Sequence, residues 1–390
     1  MFPAAQRLAA LGALTLLSVA SAQTATSAAA GERPPPPAAA LGKVEGPVRA
    51  VPSRPMLPPA LPTGLRLGNI DYASATDVAV WLGLKGTWTE PLRRLTLTEK
   101  ENPGRRIEFN VDSRDTTVNG LRVFLGSPTV LHDGKLYLSR VDAERCLAPL
   151  LRPGLGVELP PAPKIIVIDP GHGGEDPGTE NKALGLTEKI LTLDVAQRLK
   201  KVLEAAGFKV VLTRSRDVAF SPVKTVDLAL RADFANREHA DLFVSIHFNA
   251  AAKDTRGTEV FSYAPRTQRS TDSWGAHVDD SVADDAAANR LDHWNAAFAA
   301  ALDRGLLQAL KTEDRGKKIA HWAVLRTLAC PGALVEPAII TNDAEAHRVA
   351  VPAFRQKIAE GIAAGIINYA DLLDALRPKP SPSPAGSPSK

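Results

Sequence analysis

Four consecutive β-branched residues, Ile165 to Ile168, followed at once by Asp169, Pro170 and Gly171, constrain this chain more than any other feature. A short apolar run between turn signals predicts a strand buried on both faces, and such a strand needs covering layers above and below it. Asp-Pro-Gly ends the strand sharply, and His172 follows between glycines that let the backbone turn. Open α/β sheets bind ligands beyond the carboxyl ends of their strands, so His172 is well placed for chemistry. A loop histidine without a role is the alternative that this stretch alone leaves open.

From Lys164 onward, strand and helix patterns alternate. This predicts an α/β domain over residues 164–372, a mixed sheet with helices on both faces. Glu188 to Ala206 carries Leu191, Val195, Leu199 and Val202 on one helical face and ends at Gly207. Lys209 to Leu212, Leu242 to Ile246, Thr258 to Phe261, His321 to Leu325 and Ala333 to Val335 read as strands. Val226 to Arg237, Ala296 to Leu310 and Phe354 to Leu373 read as helices.

Residues 65–152 have a different texture and predict a small strand-rich α+β domain. Arg106 to Val111, Leu121 to Leu125 and Lys135 to Leu138 alternate like half-buried strands, with Asn119-Gly120 and Asp133-Gly134 as hairpin turns. Val141 to Leu150 reads as a short helix. The proline-rich connector Leu159 to Pro163 marks a boundary, and residues 65–152 are expected to fold alone.

The ends of the chain read as transport and spacing. Residues 1–22 combine Arg7, an apolar run from Leu8 to Ala20 and an Ala-Ser-Ala ending, the pattern of a cleavable secretory signal peptide. Residues 23–64 form a Pro/Ala-rich linker and residues 377–390 a Pro/Ser tail, both too poor in large apolar residues to order themselves. The expectation is an exported protein with no membrane span, periplasmic or cell-wall associated. A net charge of +4 over 390 residues makes no case for a nucleic-acid partner. Two cysteines, Cys146 and Cys330, exclude a disulfide scaffold and a cysteine-ligated zinc module; export would let them pair, but two separate buried thiols are the plainer reading.

His172 and His247 end two buried strands and point to one pocket at one sheet edge. Glu188 opens the helix after the His172 loop, so its carboxylate can face the same edge. Glu336 follows the apolar strand Ala333 to Val335, where a carboxylate is costly without a partner. Two imidazoles and one carboxylate are the ligand set of a catalytic zinc with an open position, and the remaining carboxylate would serve as the base. His239, His277, His293 and His321 read as satisfied surface or loop histidines. Gly171 to Gly174 is a poor nucleotide loop, because neither a G-x-G-x-x-G nor a phosphate-loop lysine follows.

The motifs Ile168-Asp-Pro-Gly-His-Gly-Gly174, Leu186-Thr-Glu-Lys189, Ser245-Ile-His-Phe-Asn-Ala250, Gly257-Thr-Glu-Val-Phe261 and Leu334-Val-Glu336 occur in this order. Together they resemble the zinc-dependent N-acetylmuramoyl-L-alanine amidases, the type-3 amidase family of cell-wall hydrolases. The resemblance implies Zn2+ held by His172, Glu188 and His247, with Glu336 as the catalytic acid/base and substrate-binding residues unassigned. It implies peptidoglycan as substrate and partner, cleaved at the amide between N-acetylmuramic acid and L-alanine in wall remodelling or daughter-cell separation. Any activating protein stays unidentified. Pro337 departs from the family pattern, which usually has Gly-Gly or Leu-Gly after the catalytic glutamate. A wall-binding protein with an inactive amidase domain and a zinc peptidase acting on the stem peptide are the competing readings.

Thr117 to Pro128 and Gly134 to Leu138 resemble the amino-terminal domain of copper amine oxidases. No copper-ligand set accompanies them, so this resemblance implies a structural or wall-binding module. Residues 264 to 293 are polar, irregular and long for a connection. A solvated acidic loop is the plainer reading. The other, which the resemblance suggests, is a cover from which Asp279, Asp280, Asp284 and Asp285 reach the metal's open position.

Overall fold

The computed structural model describes residues 60–271 and 286–378. The expected signal peptide, most of the expected linker, His277, the four loop aspartates and the tail beyond residue 378 lie outside them.

Four parallel strands form one end of the main sheet, in the spatial order Lys209–Leu212 (the edge strand), Ile165–Pro170, Leu242–Ile246 and Gly332–Glu336. Thr258–Tyr263 runs antiparallel beside Gly332–Glu336, and Asp314–Ala320 continues parallel beside Thr258–Tyr263. Strand alternation decides what faces where. Ile166, Ile168, Val244 and Val335 pack on one side against Leu191, Val195 and Leu199 of helix Glu188–Ala205. Val167, Phe243, Phe261 and Leu334 pack on the other side with Ala232 and Ala235 of helix Lys224–Arg237. Each such large side chain contributes about 1.5–3 kcal/mol on burial. The same alternation places Asp169, Ser245, His247, Glu259 and Glu336 on the second side, at or just past the strand ends.

Behind the first side, helix Asp292–Leu310 crosses helix Pro352–Leu376 at backbone contact. A Cβ on Gly305 would fall 2.4 Å from the Gly361 carbonyl oxygen, so only glycine permits this approach.

The strand-rich amino-terminal part continues the main sheet. Leu121–Phe124 lies parallel to Asp314–Ala320, paired through Val123 and Lys317, and four further strands extend outward to Lys85–Glu90. A second sheet, four-stranded, caps it. Its core, built on Leu97, Ile107, Phe109 and Val123, also takes in Ala296 and Ala300 from helix Asp292–Leu310. Sheet and core therefore cross the proline-rich connector. A free-standing 65–152 unit would leave the Asp314–Ala320 edge unpaired, and pairing it is what joins the two parts.

The hairpin turns stand where their sequence puts them, with φ of 51° and 79° at Asn119 and Gly120 and 47° and 70° at Asp133 and Gly134. Other expectations need correction. His321 to Leu325 is not a strand: the strand is Asp314–Ala320, and Ala323–Arg326 is a short helix. Lys317 and Lys318 hid that strand, because both lysines are buried within it. The expected helix Val141 to Leu150 is three pieces, Arg140–Asp142, a π-turn Ala143–Leu147 and Ala148–Leu151. Helix Asp292–Leu310 begins inside the span expected to be irregular, after a 3-10 turn at Ala287–Leu291. His293 accordingly lies buried on that helix, bonded to the Pro153 carbonyl oxygen at 2.7 Å, rather than on a surface loop. Cys146 and Cys330 are free, buried thiols in separate apolar clusters.

Candidate metal centre

His172 and His247 approach with ring centroids 4.9 Å apart. One carboxylate oxygen of Glu188 lies between them, 3.1 Å from His172 Nε2 and 3.0 Å from His247 Nδ1. Backbone geometry makes this convergence possible. His172 itself adopts φ of 62° at the sharp exit of its strand. A Cβ on Gly171 would sit 2.3 Å from the His247 ring, and one on Gly178 would sit 2.7 Å from both Glu188 and His172. A side chain at either position would collide with the residues that carry the three donors.

The Glu188 carboxylate is firmly placed. Its Oε1 accepts the Phe248 amide at 2.9 Å and its Oε2 the Thr179 amide at 2.7 Å. Burial opposes its charge, yet the hydrogen bonds of both histidines hold its pKa well below the usual carboxylate range. Asp176 bonds His172 Nδ1 at 2.8 Å, which turns Nε2 toward Glu188. The donor atoms of His172, Glu188 and His247 all lie within 4.8 Å of one another, the one such cluster among the described residues. Two neutral nitrogens and one oxygen fit a divalent transition metal with an open coordination position.

Glu336 ends its strand in the same cavity, which has a volume of about 710 Å³. Its Oε2 is buried without a hydrogen-bond partner. Burial, with the nearby charges of Glu188 and Glu259, pushes its pKa well above the usual carboxylate range. Pro337 follows the strand's last paired residue, and its carbonyl accepts a 3.0 Å bond from Thr258 Oγ1. The missing amide therefore falls outside the ladder. Phe220 and Trp322 form apolar wall, and the exposed cation Lys224 stands at the rim.

The family model described as N-acetylmuramoyl-L-alanine amidase matches residues 166–368, just over half of the chain. The chain belongs to the N-acetylmuramoyl-L-alanine amidase family. It is 36% identical to a cell wall amidase of Bacillus anthracis over 209 residues, covering 53% of this chain and 35% of that protein. It is 33% identical to the N-acetylmuramoyl-L-alanine amidase AmiC of Neisseria meningitidis over 234 residues, covering 53% and 52%. The chain thus spans about half or less of the length of these relatives. A solved N-acetylmuramoyl-L-alanine amidase from Clostridium difficile 630 aligns with 54% of this chain and 98% of its own, at 28% identity and a TM-score of 0.44.

Within this amidase-family domain, all four site residues named from sequence line one cavity. Sequence reasoning missed the layer beneath them. Asp169, fully buried, accepts Thr213 at 2.6 Å, Ser245 at 2.8 Å and Arg231 at 2.8 Å. Arg231 also donates to the carbonyl oxygens of Pro170 and His172, at 2.9 and 2.8 Å. Arg214 donates to the carbonyls of Pro170, Gly171 and Lys189. The available signal was Asp169 itself, a charge ending an apolar strand that demands a cation from elsewhere.

Proposed function

We propose that this protein is a zinc-dependent peptidoglycan amidase that hydrolyses the amide between the lactyl group of N-acetylmuramic acid and the first L-alanine of the stem peptide. The observation that carries the reading is the convergence of His172, Glu188 and His247 with an unpartnered Glu336 oxygen, in one cavity of a chain of this family. His172, Glu188 and His247 hold the metal. A zinc ion so held supplies a Lewis acid for the scissile carbonyl and lowers the pKa of a water to about 7.

Glu336 is the proton carrier. Its free oxygen faces no protein donor, so it is available to take a proton from the attacking water. The environment that raises its pKa makes it a proton donor as well, and it delivers that proton to the departing alanine nitrogen. Phe220 and Trp322 offer apolar surface to sugar and peptide, while Lys224 at the rim suits the carboxylates of a stem peptide. Residues 65–152 act as a structural or wall-binding extension. Export to the periplasm or wall accords with the substrate, and no helix among the described residues is long and apolar enough to cross a membrane.

The test is the release of new amino groups from purified, insoluble peptidoglycan. Release should stop with a strong chelator and return on adding zinc, with alanine as the new amino-terminal residue. Release unaffected by complete metal removal would refute the metal-dependent reading.

A further inference from the structure

Next to Glu336 lies a second buried carboxylate that the proposed reaction does not use. Glu259 stands directly opposite Glu336 in the antiparallel pair of Thr258–Tyr263 and Gly332–Glu336. Residues opposite one another in such a pair project to the same face, so two buried carboxyl groups share one edge of the site. Glu259 is 1% exposed and ionically satisfied, with Lys318 Nζ at 2.5 Å and Arg315 Nε at 3.1 Å from its Oε2. Its Oε1 takes the side-chain amide of Asn249, two residues beyond His247, in a bond that spans the strand carrying Glu336.

Lys318 is the informative member. It is buried, and its ammonium lies 5.4 Å from the Phe124 ring centre and 5.7 Å from that of Phe261. Phe261 and Lys318 are paired in the parallel ladder, so Lys318 projects to the face that carries Glu259 and Glu336. Its charge acts on Glu336, yet the carboxylate it bonds is Glu259, while Glu336 Oε2 has no partner. A buried ammonium stripped of its carboxylate takes the nearest anion. Glu336, directly opposite Glu259 in the ladder, is the acidic residue on that same face.

We infer that Glu259 is a positioning residue: it occupies Lys318 so that the Glu336 carboxylate stays unpaired and free to move a proton. The inference rests on the reading of Glu336 as the acid/base. Arg315, the extra residue at the bulge opposite Thr258 and Glu259, steadies Glu259 from the other side. Asn249 ties the same carboxylate to the loop after His247.

The experiment compares the wild type with Glu259→Gln, Glu259→Gln/Lys318→Met and Glu336→Gln, each as the full chain with zinc content measured. Kinetic constants are taken on a soluble muramyl peptide. The Glu259→Gln change keeps one oxygen for Asn249 and replaces the oxygen that Lys318 and Arg315 share with an uncharged NH2 donor, which releases Lys318. Glu259→Gln should lose about tenfold or more in kcat, part of what a general base supplies, with KM little changed and zinc retained. Adding Lys318→Met should recover most of that loss. A fully active Glu259→Gln, or a double variant as slow as the single one, overturns the inference. If neither folds, Glu259→Asp with and without Lys318→Met replaces them, and failure of these too assigns Glu259 to the fold and overturns it as well. Undiminished activity in Glu336→Gln overturns the acid/base reading itself. An inactive Glu336→Gln beside an unaffected Glu259→Gln overturns the inference alone.

Discussion

Arg231, on helix Lys224–Arg237, holds the carbonyl oxygen of His172 at 2.8 Å while its own Nε pairs with Asp227 at 2.7 Å. It is 2% exposed and also pairs with Asp169. The loop that presents His172 is thus fastened from below by a buried cation, not merely by its glycines. Arg231→Met should weaken zinc binding by about 10–100-fold, the usual scale for residues that orient a ligand, although Arg231 touches no metal. A metal competition titration reads this directly. Unchanged affinity in a folded variant would leave Arg231 a role in the fold only.

The two carboxylates of the cavity should separate under mutation. His172→Ala, Glu188→Ala and His247→Ala each remove a donor and should abolish zinc retention along with activity. Glu336→Gln should retain zinc and lose about 10²-fold or more in kcat. Metal analysis beside kinetics checks both. If Glu336→Gln lost its zinc while Glu188→Ala kept it, the roles would be reversed.

The junction between the two parts of the chain offers a stability test. Gln268 is 1% exposed and bonds Ser139 and Ser127 of the amino-terminal part, at 2.9 and 3.1 Å. A Cβ on Gly126 would lie 1.8 Å from its Oε1. Gly126→Ala should cost roughly 1–3 kcal/mol by overpacking. Because sheet and core are shared, the loss should lower the midpoint of activity and of tryptophan fluorescence together in denaturant. An activity midpoint that stays put would mean the amidase part unfolds on its own.

Acid pH should stabilise part of this molecule. Burial pushes Asp142 and Asp292 up to about 6, against the hydrogen bonds that favour their charged forms. Between about pH 4, where an unfolded aspartate titrates, and about pH 6, the folded protein holds protons that the unfolded chain has lost. Their contribution is therefore full below that window and falls as pH rises through it. Asp292→Asn should flatten the pH dependence of Tm across the window. An identical slope in the variant would assign the effect elsewhere.

Residues 164–372 were legible where their strands are pure in character. Ile165 to Ile168 and Leu242 to Ile246 announce burial, and the residues just beyond them are the ones that meet in the cavity. Thr258 to Phe261 was read as a strand despite Glu259, and the strand runs on to Tyr263. Its neighbour Asp314–Ala320 was not read as one, since Lys317 and Lys318 read as surface until a buried carboxylate, a thiol and two aromatic rings are seen around them. Arg231 and Arg214 escaped notice for a related cause. A helix or loop arginine looks solvated in sequence, and only the buried Asp169 and the inward-facing carbonyls of a sharp turn call it inward. The joining of residues 65–152 to the main sheet depends on strand edges meeting across the connector, which no local pattern encodes.

If the proposed function holds, the zinc-loaded protein adds water across one amide bond of peptidoglycan. The most direct measurement digests a defined muramyl peptide in water labelled with heavy oxygen and weighs the products. The label should appear in the lactyl carboxylate of N-acetylmuramic acid, beside an unlabelled peptide whose amino terminus is L-alanine. Label in a carboxylate of the stem peptide, or at a sugar carbon, would contradict the account.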